Sequence, residues 1–158
     1  MPRSSRRSCA RPAWAASALT LAVCTAPAAL AQEAVIGRVK TSSGAAVIVR
    51  QQTERPATVG AILQELDTLR TGADGRLGVT LTDDTRVALG PMTEVRLSRY
   101  AYSPGEGRLA VVLGILRGVA AYVSGQIARL SPEAVRIETP DAVIGVRGTQ
   151  LAIRVGDE

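Results

Sequence analysis

The chain has 158 residues, 19 of them basic and 14 acidic, with no histidine and two cysteines. Without histidine the commonest general base and metal ligand is missing, and Cys9 and Cys24 both fall in the first 24 residues, so the rest has no thiol. Composition therefore points away from an enzyme, a zinc module, any other metal or cofactor protein, and a disulfide scaffold, and leaves packing alone to stabilise the fold.

Four arginines (Arg3, Arg6, Arg7, Arg11) precede the apolar run Ala13 to Ala26, Pro27 breaks that run, and Ala29-Leu30-Ala31 supplies a small-x-small site before Gln32. This order is that of a bacterial export signal over residues 1–31, cleaved between Ala31 and Gln32, which predicts a periplasmic or secreted protein with no stable membrane span. An uncleaved anchor is the alternative, since residues 13–31 approach the length a span needs. Val23 before Cys24 spoils a lipoprotein box, and Ser8-Cys9 after Arg6-Arg7 spoils a twin-arginine signal. Loss of the signal removes four basic residues and no acid, leaving 15 against 14 and a net charge of +1. The arginines that remain alternate with acids along the chain, so no nucleic-acid footprint is expected.

Residues 32–158 make one domain, long enough for a single core. From Val35 onward apolar residues recur at every second position in short runs: Leu77, Val79 and Leu81; Val87 and Leu89; Val95 and Leu97; Val135 and Ile137; Leu151, Ile153 and Val155. Turn residues divide the runs at Gly72-Ala73-Asp74-Gly75, Thr82-Asp83-Asp84-Thr85, Gly90-Pro91, Ser103-Pro104-Gly105, Ser131-Pro132 and Thr139-Pro140-Asp141. The pattern predicts an all-β domain of many short strands, a β-roll or short solenoid or a sandwich-like fold. Leu81, Leu89 and Leu97 stand eight residues apart, which suits rungs of a coil or a meander with tight turns. Val59, Ile62, Leu63, Leu66 and Leu69 fall at helical spacing, so a helical turn competes with strand there. Leu109 to Val123 is apolar on both sides and predicts a central strand pair, covered on both faces.

Few residues invite a chemical reading. Asp67, Asp74, Asp83 and Asp84 are isolated turn acids, short of the six or more oxygens a calcium ion takes, and are read as turn caps. Lys40 beside Ser42-Ser43 has no further catalytic support, and no glycine-rich phosphate loop is present. Tyr100 and Tyr102 share one strand face, either as a binding platform or as edge packing. Arg147, between Val146 and Gly148, would need a carboxylate if buried; Glu138 or Asp141 would pin the final strand through it, and the alternative is a ligand-facing arginine.

The segments from Thr58 to Leu97, Leu113 to Val123 and Val135 to Val155 resemble the domain of the ferric-citrate regulator (FecR) family. The likeness lies in T-x-x-D-G (Thr71, Asp74, Gly75), L-x-P (Leu89, Pro91), T-P-x-A (Thr139, Pro140, Ala142) and V-R-G-T (Val146, Arg147, Gly148, Thr149), in that order. Leu66-Asp67 departs from a common Gly-Asp, and Asp84-Thr85 from Asp-Gly-Ser, both at turns. The motif residues are expected to be structural. Full-length members resemble a cytoplasmic anti-sigma segment and a membrane helix followed by this domain; an export signal stands in their place here, so the resemblance implies the domain and its envelope location without anti-sigma activity. The expected function is a non-enzymatic signalling or recognition module that binds an envelope protein partner; the alternative is a passive structural component of the envelope or cell surface.

Overall fold

Leu77, Val79 and Leu81 are buried and Arg76, Gly78 and Thr80 are not, the two-residue rhythm of a strand with one wet face. The same rhythm builds twelve strands among the described residues of the structure, a computed structural model that describes residues 34–147 and 150–156, within the compact unit Gln32–Glu158. Ala29, Ala31, Gln32 and Cys24 of the export reading, and Gly148 and Thr149 of the family motif, lie outside the described residues. No helix among those residues is long and apolar enough to cross a membrane.

The spine is one strand of 16 residues, β9 (Arg108–Val123). Along one edge it pairs end to end with β8 (Glu94–Ser103) and β7 (Arg86–Leu89), both antiparallel. Along its other edge run β10 (Val135–Glu138), parallel to Val111–Gly114, and β12 (Gln150–Val155), antiparallel to Gly118–Val123. Outward from β7 come β6 (Arg76–Leu81), β1 (Val35–Ser43) and β4 (Ile62–Gln64). Outward from β8 come β5 (Thr68–Thr71), β2 (Ala46–Arg50) and β3 (Thr53–Pro56), while β11 (Val143–Gly145) pairs with β10. The result is one sheet with two wings, β12-β9-β7-β6-β1-β4 and β11-β10-β9-β8-β5-β2-β3, curled around one core as a half-barrel roll. Leu63, Leu77, Val79 and Val87 of the first wing and Leu69, Val95, Leu97 and Ile137 of the second join that core.

The wings meet along a crease at which the chain turns from one to the other: Ala45 between β1 and β2, Gly72–Gly75 between β5 and β6, Gly90–Thr93 between β7 and β8, and Gly118 within β9. Backbone bonds Gly72 N to Ala45 O (2.8 Å), Met92 N to Gly72 O (3.0 Å) and Gly90 N to Val119 O (2.8 Å) tie successive corners together. Two threonines complete the ladder. Thr71 Oγ1 donates to Gly90 O (2.7 Å) and accepts from Thr93 N (2.9 Å). Thr93 Oγ1 accepts from Val119 N (2.9 Å) and lies 3.1 Å from Val119 O. Both threonines are buried, and the hydrogen bonds of the row offset the cost of taking their hydroxyls out of water.

Two expectations need correction, and one choice between alternatives is resolved. Leu109 to Val123 forms one bent strand, not a pair, and its outer face is not covered throughout, because Leu116 and Ala121 are exposed. No helical turn occupies 59–69: Ile62–Gln64 and Thr68–Thr71 are strands, joined by a turn in which Leu66 is left-handed. The eight-residue spacing of Leu81, Leu89 and Leu97 marks neither a coil nor a meander: β6 and β7 form a hairpin, but β8 passes to the other wing and pairs with β9 instead of β7.

Both departures from the family pattern carry positive φ, +68° at Leu66 and +65° at Asp84, where glycine would sit without strain. Leu66 is 60% exposed, so its side chain contributes little burial. Leu66→Gly is expected to raise stability by about 1 kcal/mol, read as a higher urea midpoint; a lower midpoint would show that the leucine packs usefully.

Candidate interaction site

The end of the roll away from the crease is closed by a polar plug. Asp83, in the turn between β6 and β7, is fully buried; it accepts from Thr85 Oγ1 (2.7 Å) and Thr85 N (3.3 Å). Its backbone carbonyl accepts from Gln126 N (2.7 Å), which seats the short helix α1 (Gln126–Leu130) and drives Ile127 into the core. From the second wing the Tyr100 hydroxyl reaches across, accepting from Asp83 N (2.9 Å) and lying 2.7 Å from Thr82 Oγ1. Tyr102 Oη donates to Gln126 Oε1 (2.8 Å). The two tyrosines therefore latch the wings together, in the way of packing residues rather than an open platform.

Burial pushes the Tyr100 hydroxyl pKa well above its ordinary 10.0, and the Asp83 carboxylate beside it adds to the effect. A raised pKa in the folded state means stability is complete below pH 10 and falls above it, where the unfolded chain loses the proton first. Tyr100→Phe is expected to cost about 1 kcal/mol at neutral pH and to reduce this alkaline loss. Urea titrations at neutral pH and above pH 10 check both; an unchanged alkaline slope would remove Tyr100 from the account.

A second buried carboxylate, Asp67, accepts from Arg50 Nε (2.8 Å), Arg50 Nη2 (2.7 Å) and Gln64 N (2.8 Å). The outer face of the second wing carries a surface network in which Arg70 meets Glu54 (2.9 Å) and Glu94 (3.5 Å), and Arg117 meets Glu94 (3.3 Å). Beside α1 an open cleft of about 630 Å³ is lined by Asp84, Arg86, Ser124, Gln126, Arg129 and Gln150 among others. Arg86 and Arg129 form no ion pair among the described residues.

The motif residues fall into two groups. Asp74, Gly75 and Pro91 gather at the crease, where the Asp74 carboxylate accepts from Ala45 N (3.3 Å) and a Cβ on Gly75 would stand 2.1 Å from Ala45 O. Thr139 and Pro140 shape the β10–β11 hairpin, with Thr139 N donating to Ala142 O (2.8 Å) and Thr139 Oγ1 accepting from Ala142 N (3.1 Å). Arg147 departs from expectation: it is exposed, and neither Glu138 nor Asp141 lies within ion-pair distance, because Val146 takes the buried position and turns its neighbour outward. Arg147→Ala should leave the melting curve within about 0.5 kcal/mol of the parent; a larger loss would require a contact from the final strand.

Among the described residues no three metal-ligating side chains converge, and Asp67 and Asp83 each already bond to protein donors. What lies open is backbone. β12 pairs with β9 over six residues and with no other strand among those described, whereas β3 ends its wing with Glu54, Arg55 and Pro56, and β4 has only three residues. Charges and proline blunt an edge; β12 has a single charge, Arg154.

The family model described as FecR protein matches residues 67–158, which take in β5 to β12. Searches of curated proteins and of solved structures find no match to the chain.

Proposed function

The chain belongs to the FecR family, a regulatory and signalling family, and from that premise we propose that it is a non-enzymatic recognition module which binds a protein partner in the cell envelope after loss of residues 1–31. We take the domain to be residues 32–158, beginning ahead of the matched segment; the pairing of β1 with β6 and of β2 with β5 supports that reading. The observation that carries the reading is the free edge of β12. An extended segment of a partner laid beside it gains main-chain hydrogen bonds, and alternate side chains give selectivity.

Two measurements test this. A photo-crosslinking side chain at the exposed position Ala152 should yield a discrete adduct with an envelope protein, while the same group at Arg55 on β3 should not. An exported chain that gives no adduct at Ala152 would overturn the proposal. Mass spectrometry of the envelope fraction should find Gln32 as the first residue; the intact chain with Met1, free in the cytosol, would overturn the location.

A further inference from the structure

Arginines and acids alternate along the sequence, but the sheet sorts the acids: arginines stand on strands of both wings, acids on strands of the second alone. The strands of the first wing carry Arg38, Lys40, Arg76, Arg86 and Arg154 and no aspartate or glutamate, whereas strands of the second wing hold Glu54, Glu94 and Glu138. Register decides which way the four arginines face, while Lys40 is exposed at the bulge between Val39 and Thr41. Arg38, Thr80, Arg86, Val123 and Gln150 form one row across five strands. Thr41, Gly78, Ala88, Ala121 and Ala152 form the next. Ser43 opposite Arg76, and Val119 opposite Arg154, stand in a third. Their chain neighbours Leu77, Val79, Val87, Tyr122 and Ile153 point into the core, so all three rows look outward.

Among the described residues none of the five cations forms an ion pair; on the second wing Arg70 and Arg117 are paired with Glu54 and Glu94, while Arg55 and Arg96 are not paired. Of the acids that border the face in sequence, Asp74 accepts from Ala45 N (3.3 Å) and Asp84 from Gln126 Nε2 (3.1 Å). Arg38 and Arg86 stand two strands apart, roughly 10 Å, and the rows of Arg86 and Arg76 about 13 Å apart along the strands. Between them no side chain of the middle row extends beyond alanine or threonine, so the guanidinium groups stand around a flat floor.

We infer that this outer face of β1, β6, β7 and β12 docks an acidic protein surface, whose aspartate and glutamate side chains meet the four arginines and Lys40; the inference rests on the recognition reading above and names the chemistry of its partner. Four of the five cations are arginine, whose planar fork matches a carboxylate with two parallel hydrogen bonds. The rows hold no aromatic side chain, so they lack the stacking surface on which single-stranded nucleic acids are held. Five strands by about six residues give roughly 500 Å² on this side, less than the roughly 800 Å² per partner of a standard stable interface. Attachment is therefore transient, and it weakens as salt is added.

The test uses the full chain with a poly-glutamate peptide as probe, followed by NMR shifts of the Ala88, Ala121 and Ala152 amides. Binding is expected at low salt, weakened about tenfold or more by the pair Arg38→Glu with Arg86→Glu and changed less than about twofold by the pair Arg55→Glu with Arg96→Glu on the other wing. All four positions are exposed and none is ion-paired, so both double variants should keep the parent melting curve. Equal loss in both pairs would reduce the effect to net charge and overturn the inference. So would binding of inorganic polyphosphate without binding of poly-glutamate, which would assign the face to a phosphate polymer. If the envelope adduct at Ala152 persists undiminished in the Arg38→Glu, Arg86→Glu variant, this face is not the docking surface, while the recognition reading stands.

Discussion

Gly118→Ala is expected to destabilise the domain by roughly 3–5 kcal/mol, a large share of the 5–15 kcal/mol that holds a domain of this size. Two costs add. The backbone at Gly118 has φ +86°, a region that an alanine enters at about 1–2 kcal/mol. Its Cβ would then stand 2.4 Å from Thr93 Oγ1 and 2.6 Å from Met92 O, inside any tolerable contact. The Thr93 hydroxyl has nowhere to go, because it already bonds Val119 N and contacts Val119 O across the corner. Relief of the clash breaks those contacts, each worth about 1 kcal/mol. Gly105 makes the comparison: no atom lies within 4 Å of its Cβ position and its φ is not positive, so Gly105→Ala should stay within about 0.5 kcal/mol. Urea unfolding of the two variants measures the difference. Equal midpoints would mean that the crease is not a determinant of the fold.

That glycine also marks the limit of what is legible in the sequence. Half-buried strands announce themselves through a two-residue period, so Leu77–Leu81, Val87–Leu89 and Val135–Ile137 were readable one by one. Pairing and path leave no such mark. A glycine inside an apolar stretch reads as a turn between two strands, yet at Gly118 it bends one strand so that it serves both wings. Helical spacing between Val59 and Leu69 arose by coincidence, since Leu63 and Leu69 enter the core from different strands on either side of a left-handed Leu66. Burial of turn acids is equally silent: Asp83 does cap its own turn through Thr85 N, but Tyr100, which seals it from solvent, comes from a strand 17 residues further on. The cationic face was hidden for the same reason. Acids that alternate with arginines along the chain fall on the strands of one wing alone, which leaves the cations of the other without acids in their rows.

Asp67→Ala should cost about 3–4 kcal/mol, the largest loss expected from removing a single carboxylate here. Asp67 has no exposed side-chain surface and Arg50 only 16%, so solvent cannot take over the role of either partner. The cost lies less in the attraction that disappears than in what is left: a half-buried guanidinium stripped of both its bonds to Asp67, and Gln64 N–H deprived of that acceptor. Replacing both partners with apolar residues, Arg50→Met with Asp67→Leu, strands neither charge, so the double variant should be more stable than the sum of the single changes requires by about 2 kcal/mol. A double-mutant cycle from urea midpoints gives that coupling directly, and additive losses would refute the pairing. The geometry explains why so costly an arrangement is worth holding. Arg50 belongs to β2 on the second wing, and it bonds Ile62 O (3.1 Å) in β4 on the first while its carboxylate partner bonds Gln64 N in that same strand. The ion pair thus clasps β4, the outermost strand of the first wing, to β2, the strand next to the edge of the second, at the end of β2 away from the crease.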